Sequence, residues 1–336
     1  MKGRFTSAIY APQCANTVGA YGLGRELNPV CPAFVLTSWR CHGLEINQNM
    51  ALPKLEPIRD EDLPAFCAFL HANLNPAIAA DVWADAFRQD WGVNKPNNGF
   101  LIRDDAGAIV GGIGAIYAAY PVHGKVEQFC NITSWMVLDA YRTQSMRLAM
   151  TLISQPGFHY TDLSPTAVVE QSLKFLKFTP MNEARTLLFN LPAPHQRLTG
   201  AGIASNPAHI EQVLDAASAK VYRDHKHFPW LKFVAVGKGN ERSLVIYKRA
   251  TLKSLPSADI IGFTNPEVFL RFLPVLGCHF LLAGMVTTRV ETRLLPARPV
   301  WPHTELKGYR HRVFRSDSLG EADIQNLYSE YVALDL

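Results

Sequence analysis

"VLDAYRTQSMRLAMTLIS", residues 137–154, is the stretch on which the fold turns. It begins as the end of a strand, breaks at Asp139-Ala140, and resumes with Met146, Ala149, Met150 and Ile153 at helical spacing. A strand running into a helix presents unpaired N–H groups and the positive end of the helix dipole at the junction, where an anion is stabilised. Arg142 stands beside that junction. Loops that seat phosphates usually carry glycine, and this one has none. Two readings follow: a phosphate seat whose backbone donors survive without glycine, or an ordinary core helix.

The flanks extend the pattern. Upstream, "LEPIRDEDLPAFCAFLHANLN" reads as a short strand and a helix, with Asp60, Glu61 and Asp62 suited to the helix dipole. "IAADVWADAFRQDW" is a second helix. "NGFLIRDDAGAIVGGIGAIYAAY" gives two strands about an Asp105-Ala106-Gly107 turn, and "KVEQFCNITSWMVL" a long third. After the helix at 145 come the strand "HYTDLS", the helix "TAVVEQSLKFLKF" and the strand "ARTLLFNL". The order β-α-α-β-β-β-α-β-α-β requires a right-handed crossover between the long strand and the next, which are therefore parallel. The class is α/β, a mixed central sheet flanked by helices.

Gly111-Gly112-x-Gly114 falls inside a strand pattern, and no strand leads into Gly200-Ala-Gly202, so neither is a dinucleotide fingerprint. "LPAPHQRLTGAGIASNP" reads as a linker. Beyond it the rhythm returns more faintly. "AHIEQVLDAASAKVY" is helical and a hairpin turns at Gly239-Asn240. "ADIIGF" is a strand, and Asn265-Pro266 starts a helix in "NPEVFLRFLPVLGCH". "LLAGMVTTRV" reads as a strand, and "KGYRHRVFR" as a solvated edge strand with Arg310 and Arg312 on one face. The organisation is thus residues 1–49 as a disordered or non-native extension ahead of Met50, 50–195 as one domain, and 196–336 as a degenerate copy.

Bulk properties narrow the classes. The six cysteines show no C-x-x-C spacing, which suits free thiols in a reducing cytoplasm. No clustered ligands suggest a metal, and no apolar run is long enough to span a membrane. The net charge of +4 is uneven, with nine Lys/Arg against Asp224 and Glu241 between Lys220 and Lys253. That belt is a solvated face, or it attracts an anionic small-molecule acceptor. The acidic residues after Arg315 argue against nucleic acid.

The order of elements across 54–191, with Arg142-Thr143-Gln144-Ser145-Met146-Arg147 at the start of the helix, resembles the GNAT acyltransferase superfamily. Its motif there is Arg/Gln-x-x-Gly-x-Gly/Ala; both glycine positions depart, to Ser145 and Arg147. The second half resembles the first in architecture, as in tandem GNAT proteins. The resemblance implies a fold that binds acetyl-CoA or another acyl-CoA as donor. Arg142, Thr143, Gln144, Ser145, Met146 and Arg147 would hold its diphosphate. Met136, Val137 and Leu138 would pair with the pantetheine arm as an added strand. Ser145 keeps its backbone N–H, so free amides around it remain the expected donors.

The resemblance also implies acyl transfer to an amine or hydroxyl by direct attack on the thioester. Many members place a Tyr on the helix after the fifth strand to protonate the thiolate; here that position is Leu173 and the following glycine is Lys177. Glu127 as base and Ser164 at the cleft are the substitutes, with Asp162, His123, His159 and Cys130 nearby in sequence order. No Ser-His-Asp set is recognisable from the sequence. Two alternatives stand beside the enzyme: an inactive GNAT-fold binding or scaffold protein, and a FemX-like aminoacyltransferase.

Overall fold

A computed structural model describes residues 53–192, 200–308 and 310–335. The expectations for residues 1–49 lie outside these.

The first sheet begins with β1 (Lys54–Pro57), β2 (Gly99–Arg103), β3 (Ile109–Val122) and β4 (Lys125–Val137), each antiparallel to the next. Helices α1 (Leu63–Asn73) and α2 (Ala80–Phe87) lie between β1 and β2 in the chain. Their rings explain the glycines of β3. A Cβ at Gly112 would sit 2.4 Å from the Phe66 ring, and one at Gly114 would sit 2.5 Å from the Phe87 ring. The Gly-Gly-x-Gly run is therefore helix-on-sheet packing.

After β4 a 3-10 turn (Asp139–Gln144) leads into α3 (Ser145–Ile153), then β5 (His159–Asp162), parallel to β4, and α4 (Ala167–Phe175). Thr166 caps α4, its hydroxyl accepting the Val169 N–H at 3.3 Å. A short β6 (Thr179–Pro180) precedes β7 (Arg185–Phe189).

The second half supplies β8 (Gly202–Ala204), β9 (Lys232–Lys238), β10 (Glu241–Leu252), β11 (Leu255–Phe263), β12 (Thr287–Glu291), β13 (His303–Leu306) and β14 (Val313–Arg315). The two sheets run β1-β2-β3-β4-β5-β14-β6 and β8-β9-β10-β11-β12-β7-β13. They have the same topology, each with one named parallel pair, β4 with β5 and β11 with β12. This is the mixed α/β, tandem architecture expected.

Three local expectations change. Sequence order places β7 in the first half, yet it pairs with β12 and β13 in the second sheet. Reciprocally, β14 is no solvated edge: it lies between β5 and β6 of the first sheet. The halves thus exchange their sixth strands. "LLAGMVTTRV" divides, because the helix over Leu273–Leu282 runs on to Leu282 and the strand begins only at Thr287.

A buried ion network sits where the exchanged strands meet. Glu291 on β12 forms an ion pair with Arg312 at 2.6 Å and accepts the Arg293 Nε–H at 3.0 Å. Asn326 donates to the same carboxylate at 3.0 Å. Burial alone would raise the Glu291 pKa; Arg312, Arg293 and Arg185 hold it below the usual value.

Candidate active site

β4 and β5 pair only from Phe129 and His159 to Asn131 and Thr161. Beyond that point β4 carries a bulge. Gly112 of β3 faces Met136 while Gly114 faces Thr133, so Ser134 and Trp135 together oppose Ile113. Ser134 has φ of 54°, a left-handed backbone that strains a residue with a Cβ by about 1–3 kcal/mol. A bulge bends its strand. From Ile132 to Val137 no strand among the described residues pairs with the outer edge of β4, and the sheet opens into a gap.

Two adjoining cavities occupy the gap. The first, about 390 Å³, lies between Met136, Val137, Arg142 and Ser145 on one wall and Val168, Val169 and Ser172 on the other. The second, about 220 Å³, shares Trp135, Thr166 and Val169 with it and reaches Ser134, Asp162 and Ser164.

Of the nine residues assigned to the donor, Met136, Val137, Arg142 and Ser145 line this space. Arg142 is exposed and lines the first cavity; its Nε donates to Asp139 at 2.8 Å. The other five do not line it. Leu138 packs on the core, and Thr143, Gln144 and Met146 stand on the turn and first helical residues outside the cavities. Arg147 points elsewhere, donating to the Pro53 carbonyl at 3.0 Å and to Gln144 at 3.4 Å, so it does not plug the gap.

The free amide at Ser145 is a correction. The segment enters α3 through a 3-10 turn, and the Ser145 N–H donates to the Arg142 carbonyl. The Arg142 guanidinium and the Ser145 hydroxyl stand at this helix start, on the cavity wall.

Ser164 lies at the mouth of the second cavity and joins two buried carboxyl groups. Its hydroxyl donates to Glu330 Oε1 at 3.0 Å, and its N–H donates to Asp162 Oδ1 at 3.2 Å. Glu330 comes from a short helix over Glu330–Ala333. Its Oε1 also accepts the Leu163 N–H at 2.9 Å, its own N–H donates to Asn131 Oδ1 at 2.8 Å, and its Oε2 has no partner. Burial and the neighbouring Glu330 charge push the Asp162 pKa well above the usual carboxylate range; burial pushes up that of Glu330. The indole N–H groups of Trp83 and Trp135, both on the cavity wall, are buried without a partner. Sequence reading missed Glu330 and both indoles; a carboxylate 168 positions from Asp162 carries no local signal.

Glu127 does not reach the gap. It sits near the opposite end of β4, bonded to Lys125 at 2.8 Å and His159 at 3.3 Å, in a separate cavity. Leu173 is fully buried in the core beneath the first sheet. Cys130 is buried, and its thiol is raised by desolvation. His123 bonds Asp323 at 2.7 Å on the surface. The fold does gather Glu170, Glu183 and His311 at metal-ligand spacing, but each is engaged: His311 Nδ1 lies 3.0 Å from both carboxylates, and Lys174 pairs with Glu170 at 2.6 Å.

The second half repeats the device and blocks it. Ile246 faces Gly262 and Tyr247 faces Ile260, so β11 bulges at Ile261 as β4 does at Ser134. There the Ile261 carbonyl accepts Asn326 at 3.2 Å, and Leu327 packs so closely on Gly262 that a Cβ would lie 2.8 Å from it. The chain's own 326–327 segment fills the gap between β11 and β12.

No family model matches the chain, and none of the curated proteins does. Solved structures do resemble it. A GCN5-related N-acetyltransferase from Anabaena variabilis aligns over 78% of this chain and 72% of its own, at 11% identity and TM-score 0.51. Another from Kribbella flavida aligns over 78% and 70%, at 12% identity and TM-score 0.50. At such identities the likeness establishes the fold.

Proposed function

We propose that this chain, whose fold is that of the GCN5-related N-acetyltransferases, is an acyl-CoA-dependent acyltransferase that works in the gap of its first half. The observation that supports this best is the parted β4/β5 pair with Asp162 on the wall of its second cavity and the buried Glu330 bonded to Ser164 there. The fit to the donor is chemical as well as spatial. One end of the gap carries a guanidinium at a helix start, and the other carries indole N–H groups without partners.

In this reading Arg142 and the Ser145 hydroxyl hold the diphosphate, and the unpaired edge at Met136 and Val137 holds the arm. The bound donor supplies an activated acyl carbonyl. Trp135 and Trp83 offer N–H groups to oxygen in the second cavity. Asp162 and Glu330 divide the proton work. Burial and mutual repulsion disfavour ionising both carboxyls at once, so the pair favours sharing one proton. The ionised member takes a proton from the acceptor; the protonated member returns one to the departing sulfur, with the Ser164 hydroxyl as bridge. This replaces the tyrosine missing at Leu173. The acidic floor favours an amine acceptor over the anionic acceptor suggested by the basic belt, and acetyl-CoA suits the small second cavity. The described residues contain no helix long and apolar enough to cross a membrane, and a cytoplasmic setting fits the free thiols.

Leu173 in the core and the committed Ser145 amide favour a second reading, a binding protein that keeps the fold without the chemistry. Thiol release from acetyl-CoA and longer acyl-CoAs, tested against amines and alcohols, separates the two. The first predicts turnover that falls about 10²–10⁴-fold in Asp162→Asn. The second predicts donor-induced stabilisation without turnover.

A further inference from the structure

The cavity at the other end of β4 is the more polar of the large ones and has no part in the reading above. It measures about 690 Å³ and is lined by Lys125, Glu127, His159, Arg315 and Ser316 among others. Three of these form a chain of hydrogen bonds. The Ser316 hydroxyl lies 2.8 Å from His159 Nδ1, and His159 Nε2 lies 3.3 Å from Glu127 Oε2. Glu127 is held in turn by Lys125 at 2.8 Å. The three come from β4, β5 and the residue after β14, and the strand exchange is what brings Ser316 opposite His159, beside the Arg315–Tyr160 register pair.

We infer that Ser316, His159 and Glu127 form a nucleophilic serine site that cleaves carboxylic esters, distinct from the β4/β5 gap. The roles follow from the atoms. A carboxylate only accepts, so neutral His159 carries its proton on Nε2, toward Glu127. That leaves Nδ1 bare, and Ser316 donates to it. Lys125 and then His159, by hydrogen bonding, hold Glu127 below the usual carboxylate range, which keeps it an acceptor. Nucleophile to base and base to orienting carboxylate are the two contacts a serine relay needs, whatever the fold that carries it.

Ser316 Oγ also accepts the N–H groups of Leu319 at 2.8 Å and Ser318 at 3.2 Å. These amides fix the rotamer and stabilise negative charge on the oxygen. The longer contact, from Ser318, is the one released as a carbon approaches. The steps then balance. The Ser316 proton moves to His159 Nδ1 as Oγ bonds to the ester carbonyl carbon. The C–O bond breaks and the alcohol leaves with that proton. Water attacks the acyl-serine, again through His159, and the carboxylic acid departs. Lys125 and Arg315 are the cations on this wall available to the oxyanion. Arg315 has no ion-pair partner among the described residues, which suits an ester that carries a carboxylate.

The test uses the full chain and a fluorophosphonate probe, read by intact mass and peptide mapping. The P–F bond breaks, fluoride leaves, and an Oγ–P bond forms on the attacking serine. The expected result is one adduct per chain on Ser316, formed on the order of 10²-fold more slowly in His159→Gln. p-Nitrophenyl acetate hydrolysis should likewise exceed that of Ser316→Ala. No adduct after exhaustive treatment overturns the site and leaves Ser316 as a turn cap only. So does an adduct on another serine, or labelling of Ser316 that is indifferent to His159→Gln. Since Ser316→Ala removes a cap, its melting curve is measured alongside, but the labelling of the unmodified chain decides without it.

Discussion

Replacing Asp162 by Asn tests whether the carboxyl pair is kept for function against stability. Asp162 is only 5% exposed and Glu330 is fully buried. Asp162 accepts one backbone hydrogen bond, from Ser164 at 3.2 Å, and an amide oxygen accepts it equally well. The substitution therefore keeps the contact and removes the ionisation. Burial first, and then the Glu330 charge, raise the Asp162 pKa in the folded chain. Above about pH 4 the unfolded chain has lost protons that the folded chain still holds. Stability is thus fully present below the unfolded pKa and lost as pH rises through the folded one. Relief of a poorly paired buried polar group is worth about 1–3 kcal/mol. For a chain of this size that is roughly 2–10 °C in Tm. Calorimetry from about pH 4 to about pH 8 should find Asp162→Asn equal to the parent at the acid end and more stable at the alkaline end. A difference in Tm independent of pH, or a variant less stable at the alkaline end, would refute the reasoning.

Three further outcomes follow from the fold. Glu291→Gln leaves Arg312 and Arg293 buried without their counter-charge and should destabilise by about 3–5 kcal/mol in urea unfolding. Gly99 has φ of +112°, and a Cβ there would lie 2.1 Å from the Ile113 carbonyl oxygen, so Gly99→Ala should cost about 3 kcal/mol by the same assay. A fragment spanning 50–195 lacks β14 and Glu330 while carrying an unpaired β7, and circular dichroism should show no cooperative melt; a sharp transition would mean the exchanged strands are dispensable.

Much of the fold was legible because it is written in local periodicity. The strand–helix–strand run from Lys125 to Asp162 follows from apolar spacing, and the Asn265-Pro266 helix start from cap chemistry; the Asn265 side chain does accept the Val268 N–H at 3.1 Å. Pairing partners are not local. Nothing in "ARTLLFNL" or "RVFR" says which sheet each strand joins, so the exchange of β7 and β14 could not be read. The candidate site divides in the same way. Arg142 and Ser145 belong to the motif and Ser164 ends a recognisable strand, so all three were visible. Glu330 enters from the short helix over Glu330–Ala333, and its partnership with Asp162 exists only once the chain is folded. Glu127 suggests a base only because it begins the long strand. Strand geometry explains the miss: about 3.3 Å per residue separates it by many ångströms from Ser134.

The proposed function requires one gap of the two to admit an acyl-CoA, with Arg142 at its charged end. Isothermal titration of the intact chain with acetyl-CoA, beside Arg142→Glu, tests it most directly. The expected result is one site per chain in the parent. Binding should be weaker by about 1.5–3 kcal/mol or more in a variant whose own melting is unchanged. Two sites per chain, no binding at all, or binding indifferent to Arg142→Glu would contradict it.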